Sequence, residues 1–203
     1  MNKGNLIVFS GPSGSGKGTV LKSFFEKHPE YKLKFSVSVT TREPRDGETD
    51  GVNYYFINKD TFKNLRDNDG LLEWAEFCGN YYGTPKEAVL KTLEQGWDVI
   101  LEIEVQGALK VMEKMPDAVS VFIAPPSFKE LERRLTGRGT EDEATVQKRL
   151  NTAKGELKQI EKYKYAIIND DVDDCADKLF SILSAEHFKT NKNINYFKEV
   201  YDI

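Results

Sequence analysis

The chain has 203 residues, 39% hydrophobic and 31% charged, with a formal net charge of −4, the balance of one globular domain with a proper core. That slightly acidic balance argues against a nucleic-acid-binding surface, and no stretch approaches the run of about 18 apolar residues that a membrane helix needs. Met1–Asn5 leads almost at once into an apolar run, so no signal peptide is expected. Cys78 and Cys175 lack metal-ligand spacing and read as reduced thiols of a cytoplasmic protein. The two histidines, His28 and His187, have no Cys or acidic partner at a useful spacing. Both read as surface residues, and imidazole acid–base chemistry is not expected.

In chain order, Leu6–Phe9 is a short continuous apolar run, the pattern of a strand buried on both faces. Lys17 to Lys27 reads as a helix with Val20, Leu21, Phe24 and Phe25 on one side, stopped by Pro29. Leu33 to Val39 alternates as a strand, Thr40–Gly51 is a charged loop, and Asn53 to Ile57 is another short strand. Thr61 to Asn68 predicts a helix closed at Gly70. Leu71–Phe77 and Tyr81–Tyr82 predict an antiparallel ribbon turning at Gly79–Asn80. Pro85 opens a helix over Lys86–Glu94. Buried strands return at Asp98–Val105 and Val119–Ala124. A helix over Phe128–Thr136 precedes a longer one, whose stripe Val146, Leu150, Ala153, Leu157 and Ile160 steps by four and three. Tyr165–Ile168 is the last buried strand and Val172–Phe188 the closing helix. The tail from Lys189 is polar with scattered aromatics and carries no clear pattern. Strands alternating with helices predict an α/β fold on a parallel sheet. The middle, 34–96, reads as a mixed α+β insert, and 125–163 as a helical excursion.

Five clusters carry chemistry. Gly11-Pro12-Ser13-Gly14-Ser15-Gly16-Lys17 fits the first seven positions of G-x-x-x-x-G-K-[ST], between a strand and a helix. Its glycines let backbone N–H groups turn onto phosphate oxygens at a helix N-terminus, and Lys17 adds a charge for the outer phosphates. Gly18 then stands where Ser or Thr would hold Mg²⁺, and Thr19 follows. That ending resembles nucleoside monophosphate kinases, whose metal is held largely by phosphates and water. Arg42 and Arg45, with Ser38, Thr40, Thr41 and Tyr54 around them, suit a phosphate monoester; taken alone they equally describe a solvated charged loop. Glu73, Tyr81, Tyr82 and Thr84 taken alone describe a half-buried hairpin with a surface acid. Glu102 and Glu104, two apart on a strand, point the same way at the carboxyl end of a core strand, where α/β sheets bind ligands. Arg134, Arg138 and Arg149 suit transferring phosphates, or plain surface charge.

Taken together and in order, "FSVSVTTREPRDGE", "GVNYYF", "EWAEFCGNYYGT", "ILEIEVQGA", "FIAPPS", "RRLTGRGTE" and "INDD" resemble the guanylate kinase family over about Asn5 to Leu183. The resemblance implies a P-loop three-layer α/β fold: a parallel-sheet core (about 1–33, 97–124 and 164–188), a GMP-binding insert (34–96), a helical lid (125–163) and a polar tail (189–203). It implies transfer of the ATP γ-phosphoryl group to GMP, with Mg²⁺ held mainly by phosphates and water near Thr19 and Glu102. Ser38, Arg42, Arg45, Tyr54 and Tyr82 would hold the GMP phosphate, and Glu73, Thr84 and Glu104 would read guanine. The Gly11–Thr19 backbone and Lys17 would hold the ATP phosphates, Arg134, Arg138 and Arg149 would close from the lid, and Asn169 would lie near adenine. The family more often carries Asp where Glu104 stands. Two other readings are a peptide-binding scaffold module, in which the phosphate loop would be damaged, and a P-loop kinase for another phosphate ester, which would lack Glu73 and Thr84. Nothing in the sequence decides between monomer and homo-oligomer.

Overall fold

The computed structural model describes residues 3–137 and 143–202. Leu6–Ser10 (β1) is buried at every position because it is the middle strand of a five-stranded sheet. Its neighbours are Asp98–Ile103 (β7) and Val119–Ala124 (β8), with Leu33–Phe35 (β2) and Tyr165–Ile168 (β9) at the edges. Every pairing in this sheet is parallel. Successive side chains of a strand leave on opposite faces, so Ile7 and Phe9 enter one core and Leu6 and Val8 another. The first core is covered by Lys17–Lys27 (α1) and Val172–His187 (α7); the second by Lys86–Glu94 (α3) and Val105–Lys114 (α4).

A second, mixed sheet runs Tyr55–Phe56 (β4), Val39–Thr40 (β3), Asn80–Pro85 (β6) and Leu71–Phe77 (β5). Its own small core is Val39, Phe62 and Leu71, with Phe62 supplied by Lys59–Asp67 (α2). β5 joins the two bodies. Leu71 lies opposite Pro85 and Trp74 opposite Gly83, so Leu72 and Glu73 together face the single residue Thr84, a β-bulge. The bulge lets consecutive leucines bury in different places: Leu71 enters the small core and Leu72 the main one.

Several expectations need correction. The strand expected over 33–39 is two, β2 in the main sheet and β3 in the second, with Ser36–Ser38 crossing between them. The strand expected through Val105 stops at Ile103, and Val105 begins α4, a helix the apolar run concealed; Val105, Ala108 and Val111 bury one side of it. The stripe expected on one long helix serves two bodies. Val146, Leu150 and Ala153 of Glu143–Leu157 (α6) pack against Leu131 and Leu135 of Phe128–Thr136 (α5), whereas Leu157 and Ile160 lean on the main core. The tail forms a helix, Thr190–Tyr201 (α8). Neither histidine is a plain surface residue. His28 stacks on Phe180 at 3.9 Å between ring centroids. His187 Nε2 lies 2.9 Å from Asp98 Oδ2, on a buried carboxylate that also accepts from the Asn5 amide and the Tyr31 hydroxyl. The strands at Val119–Ala124 and Tyr165–Ile168 and the helix at Phe128–Thr136 lie where the spacing predicts them.

Candidate active site

The loop between β1 and α1 turns on two glycines in left-handed backbone, Gly14 at φ 88° and Gly16 at φ 89°. Gly16 is required twice over. A Cβ there would stand 2.4 Å from Asn169 Nδ2, and left-handed backbone is costly for other residues. Asn169, 2% exposed at the end of β9, donates from that nitrogen to Ser15 O at 2.7 Å. The side chain, expected near adenine, thus braces the phosphate loop itself. Asn169 also lines a 380 Å³ cavity with Gly14, Gly16, Thr19 and Arg134.

Lys17 Nζ donates to Gly11 O at 2.7 Å and Pro12 O at 3.1 Å. Burial pushes its pKa down, while the carboxylates of Glu102, Glu156 and Glu104 pull it back up. Burial raises the pKa of Glu102, and Lys17 opposes that shift. The Glu102 carboxylate lies 3.7 Å from where a Cβ on Gly18 would be; Thr19, next in the chain, is exposed and lines the cavity with Asn169. One carboxylate at the phosphate loop fits a hydrated Mg²⁺, which uses one or two carboxylates, substrate phosphates and water. Among the described residues no three His, Cys, Asp or Glu groups are placed to hold a metal ion together.

Arg134 and Arg149 both reach this loop. Arg134 Nη2 donates to Asn169 O at 3.0 Å and Nη1 lies 3.5 Å from Ser15 O; Glu130 accepts from its Nε at 2.8 Å. Arg149 Nη2 donates to Ser13 Oγ at 2.5 Å. The plain-surface-charge reading fails for both. Arg138 lies outside the described residues.

The second sheet gathers the other expected residues. Tyr54 and Tyr82 meet edge to face with centroids 6.0 Å apart, and the Arg42 guanidinium is 5.6 Å from the Tyr54 centroid. Ser38 O accepts from the Tyr55 amide at 2.9 Å, which ties Ser38 to the same strand pair. Arg45 is exposed on the adjoining loop. Glu48, not singled out in the sequence, accepts from Arg42 Nη2 and from the Arg45 amide, both at 2.8 Å. Its spacing from the two arginines was the available signal.

Glu73 is not the surface acid that the hairpin alone suggested. Thr84, 1% exposed, donates its hydroxyl to Glu73 Oε1 at 2.7 Å. Burial raises the Glu73 pKa, against the pull of the Thr84 hydroxyl and the Lys110 ammonium. Its other oxygen, Oε2, lies 3.2 Å from where a Cβ on Gly107 would be, a close fit against the first turn of α4. Glu104 is exposed and holds the N-cap position of α4 in extended backbone. The stretch 102–107 thus links the two halves: Glu102 and Glu104 act on Lys17, and Gly107 lies against Glu73.

A glycine-turned loop at the carboxyl end of a parallel sheet, with a lysine opening the next helix, defines a P-loop α/β protein that binds nucleotide phosphates. The guanylate kinase family model matches residues 3–186. The guanylate kinase of Caldanaerobacter subterraneus is 50% identical over 98% of this chain and 95% of its own length. That of Desulfitobacterium hafniense is 50% identical over 98% of both chains. A crystal structure of guanylate kinase from Anaplasma phagocytophilum superposes with a TM-score of 0.73 at 36% identity, over 98% of this chain and 95% of that one. The chain belongs to the guanylate kinase family.

Proposed function

We propose that this chain catalyses ATP + GMP → ADP + GDP, an activity of purine nucleotide metabolism and GMP recycling carried out in the cytoplasm. The observation that carries the reading is the joining of two unlike sites by residues 102–107: a phosphate loop with Lys17 on one side, and a buried carboxylate with a hydroxyl partner on the other.

In this reading the backbone of Gly11–Thr19 and Lys17 hold the ATP phosphates, with Asn169 beside the base. Arg134, Arg138 and Arg149 neutralise charge on the phosphoryl group as it passes through a loose transition state, so positioning and electrostatics suffice and no protein nucleophile is needed. Ser38, Arg42, Arg45, Tyr54 and Tyr82 hold the GMP phosphate. Glu73 and Thr84, with Glu104, take the guanine edge, where N1–H and the 2-amino group present two donors side by side to a carboxylate. Thr19 and Glu102 are the protein groups that would hold hydrated Mg²⁺, which when bound offsets phosphate charge. We read 34–96 as a GMP-binding insert and 125–163 as a lid, both closing on the core to exclude water. The intact Gly16–Lys17 and the arginines seated on the loop favour an enzyme over a peptide-binding module. A coupled assay of ATP consumption with GMP, AMP, dTMP and UMP tests this: turnover is expected with GMP far above the others. Equal turnover with all four, or none, overturns it.

A further inference from the structure

We infer that Glu48 is a positioning residue of the GMP site, one that orients the Arg42 guanidinium and pins the backbone at Arg45. The inference rests on the GMP-phosphate role proposed above for Arg42 and Arg45. The two oxygens of one carboxylate divide the work. Glu48 Oε1 accepts from Arg42 Nη2 at 2.8 Å, and Oε2 accepts from the Arg45 backbone amide at 2.8 Å. The Glu48 amide in turn donates to Arg45 O at 3.0 Å, closing the turn on itself. Both ionic partners are largely shielded, with side chains 15% and 19% exposed.

The Arg42 guanidinium is therefore held edge-on. Nη2 is on Glu48 and Nη1 donates to Glu43 O at 2.6 Å, while the Tyr54 and Phe56 rings stand 5.6 and 5.8 Å from its central carbon. Of its five N–H groups, one is given to Glu48 and one to Glu43 O, the Tyr82 hydroxyl is a further partner, and the remainder face away from these acceptors. A flexible arginine would have to lose side-chain freedom on binding; here that ordering is completed beforehand. The Arg42 guanidinium and the Arg45 amide hold the Glu48 carboxyl below the usual carboxylate range.

The test separates phosphate from base. Binding of GMP and of guanosine, which has the same base and no phosphate, is measured by calorimetry for the wild type, Glu48→Gln, Glu48→Asp and Arg42→Ala. Glu48→Gln is expected to weaken GMP by on the order of tenfold, the size of one charge-assisted hydrogen bond, with guanosine binding and the KM for ATP unchanged. Glu48→Asp, which keeps the charge at shorter reach, is expected to fall between Gln and wild type, and it supplies the same comparison if Glu48→Gln does not fold. Equal loss of GMP and guanosine would make Glu48 a general support of the insert and overturn the inference. Wild-type GMP binding in Glu48→Gln beside weakened binding in Arg42→Ala overturns it too, while leaving the site reading intact. Wild-type binding in Arg42→Ala overturns both.

Discussion

The two sides proposed for this site, donor phosphate and acceptor, are built from different materials. Around Gly11–Thr19 the working parts are backbone groups at the end of a fully buried strand, braced by the buried Asn169 amide. Around Arg42–Tyr82 they are side chains on short strands of two to seven residues and an exposed loop. A backbone site recognises any triphosphate and resists change, because altering it means altering the fold. A side-chain site recognises one phosphate and one base, and is open to adjustment residue by residue.

The strongest way to break this contrast is at Lys17, whose ammonium sits on the loop's own carbonyls. Lys17→Ala is expected to lower kcat about 10²- to 10³-fold, the loss of about 2.7–4 kcal/mol that removal of a preorganised charge stabiliser brings. Circular dichroism should remain that of the wild type. Near-normal turnover would remove Lys17 from the chemistry.

Next in size is base choice. Glu73→Gln keeps the shape but removes the charge and replaces one acceptor with a donor. Loss of about 1.5–3 kcal/mol, a hydrogen bond to a charged group, is expected to cut kcat/KM for GMP on the order of 10- to 100-fold. AMP, which has no 2-amino group, should be used no worse than before. Retention of the wild-type GMP-to-AMP ratio would pass the role to Glu104.

Asn169→Ala sharpens the contrast from the other direction. It leaves the Ser15 carbonyl without its buried donor, and such a loss costs about 1–3 kcal/mol. A rise in the KM for ATP of about tenfold is expected, with the KM for GMP unmoved. Equal rises for both substrates would mean that Asn169 supports the whole molecule and not this loop.

The smallest effect concerns the join between the two regions. Asp69 accepts from Lys86 Nζ and Lys114 Nζ, both at 2.7 Å, and these partners hold its pKa at about 2, below the ordinary 3.8. A carboxyl depressed in the folded state stabilises it above the unfolded pKa, and that contribution fades as pH falls towards the folded value. Asp69→Asn should therefore leave stability near pH 2 almost unchanged and lower it slightly at neutral pH, flattening the decline between about pH 4 and pH 2. Urea titrations across that window check it; parallel curves for the two proteins would show that Asp69 contributes nothing.

The same contrast decides what was legible in the sequence. The backbone site leaves a trace in composition, since only glycine suits its turns, and Gly11–Lys17 could be read directly. Strands buried on both faces were equally plain, as at Val119–Ala124. The acceptor site was legible only as a set: Arg42, Arg45 and Glu73 each had an ordinary surface explanation until the resemblance joined them. The bulge at Leu72–Glu73 was hidden because it arises from two leucines finding two different cores, a tertiary cause. α4 was hidden because Val105 extends an apolar run that belongs to a strand. The brace from Asn169 to Ser15 spans 154 positions, which no local pattern can express.

Gly107 has a consequence for how such a protein could be taken apart. The carboxylate assigned to the base belongs to residues 34–96, yet the surface it rests on belongs to α4, with only 3.2 Å between Glu73 Oε2 and a side chain that position 107 does not carry. A graft of residues 34–96 onto another P-loop scaffold would carry Arg42, Glu48 and Tyr54 with it, and so the grip on a phosphate monoester. On the proposed role of Glu73, the preference for guanine would then depend on the recipient helix as well, since a side chain at the matching position would press on that carboxylate. On the proposed assignment, affinity would travel with one segment, whereas selectivity would need two segments inherited together.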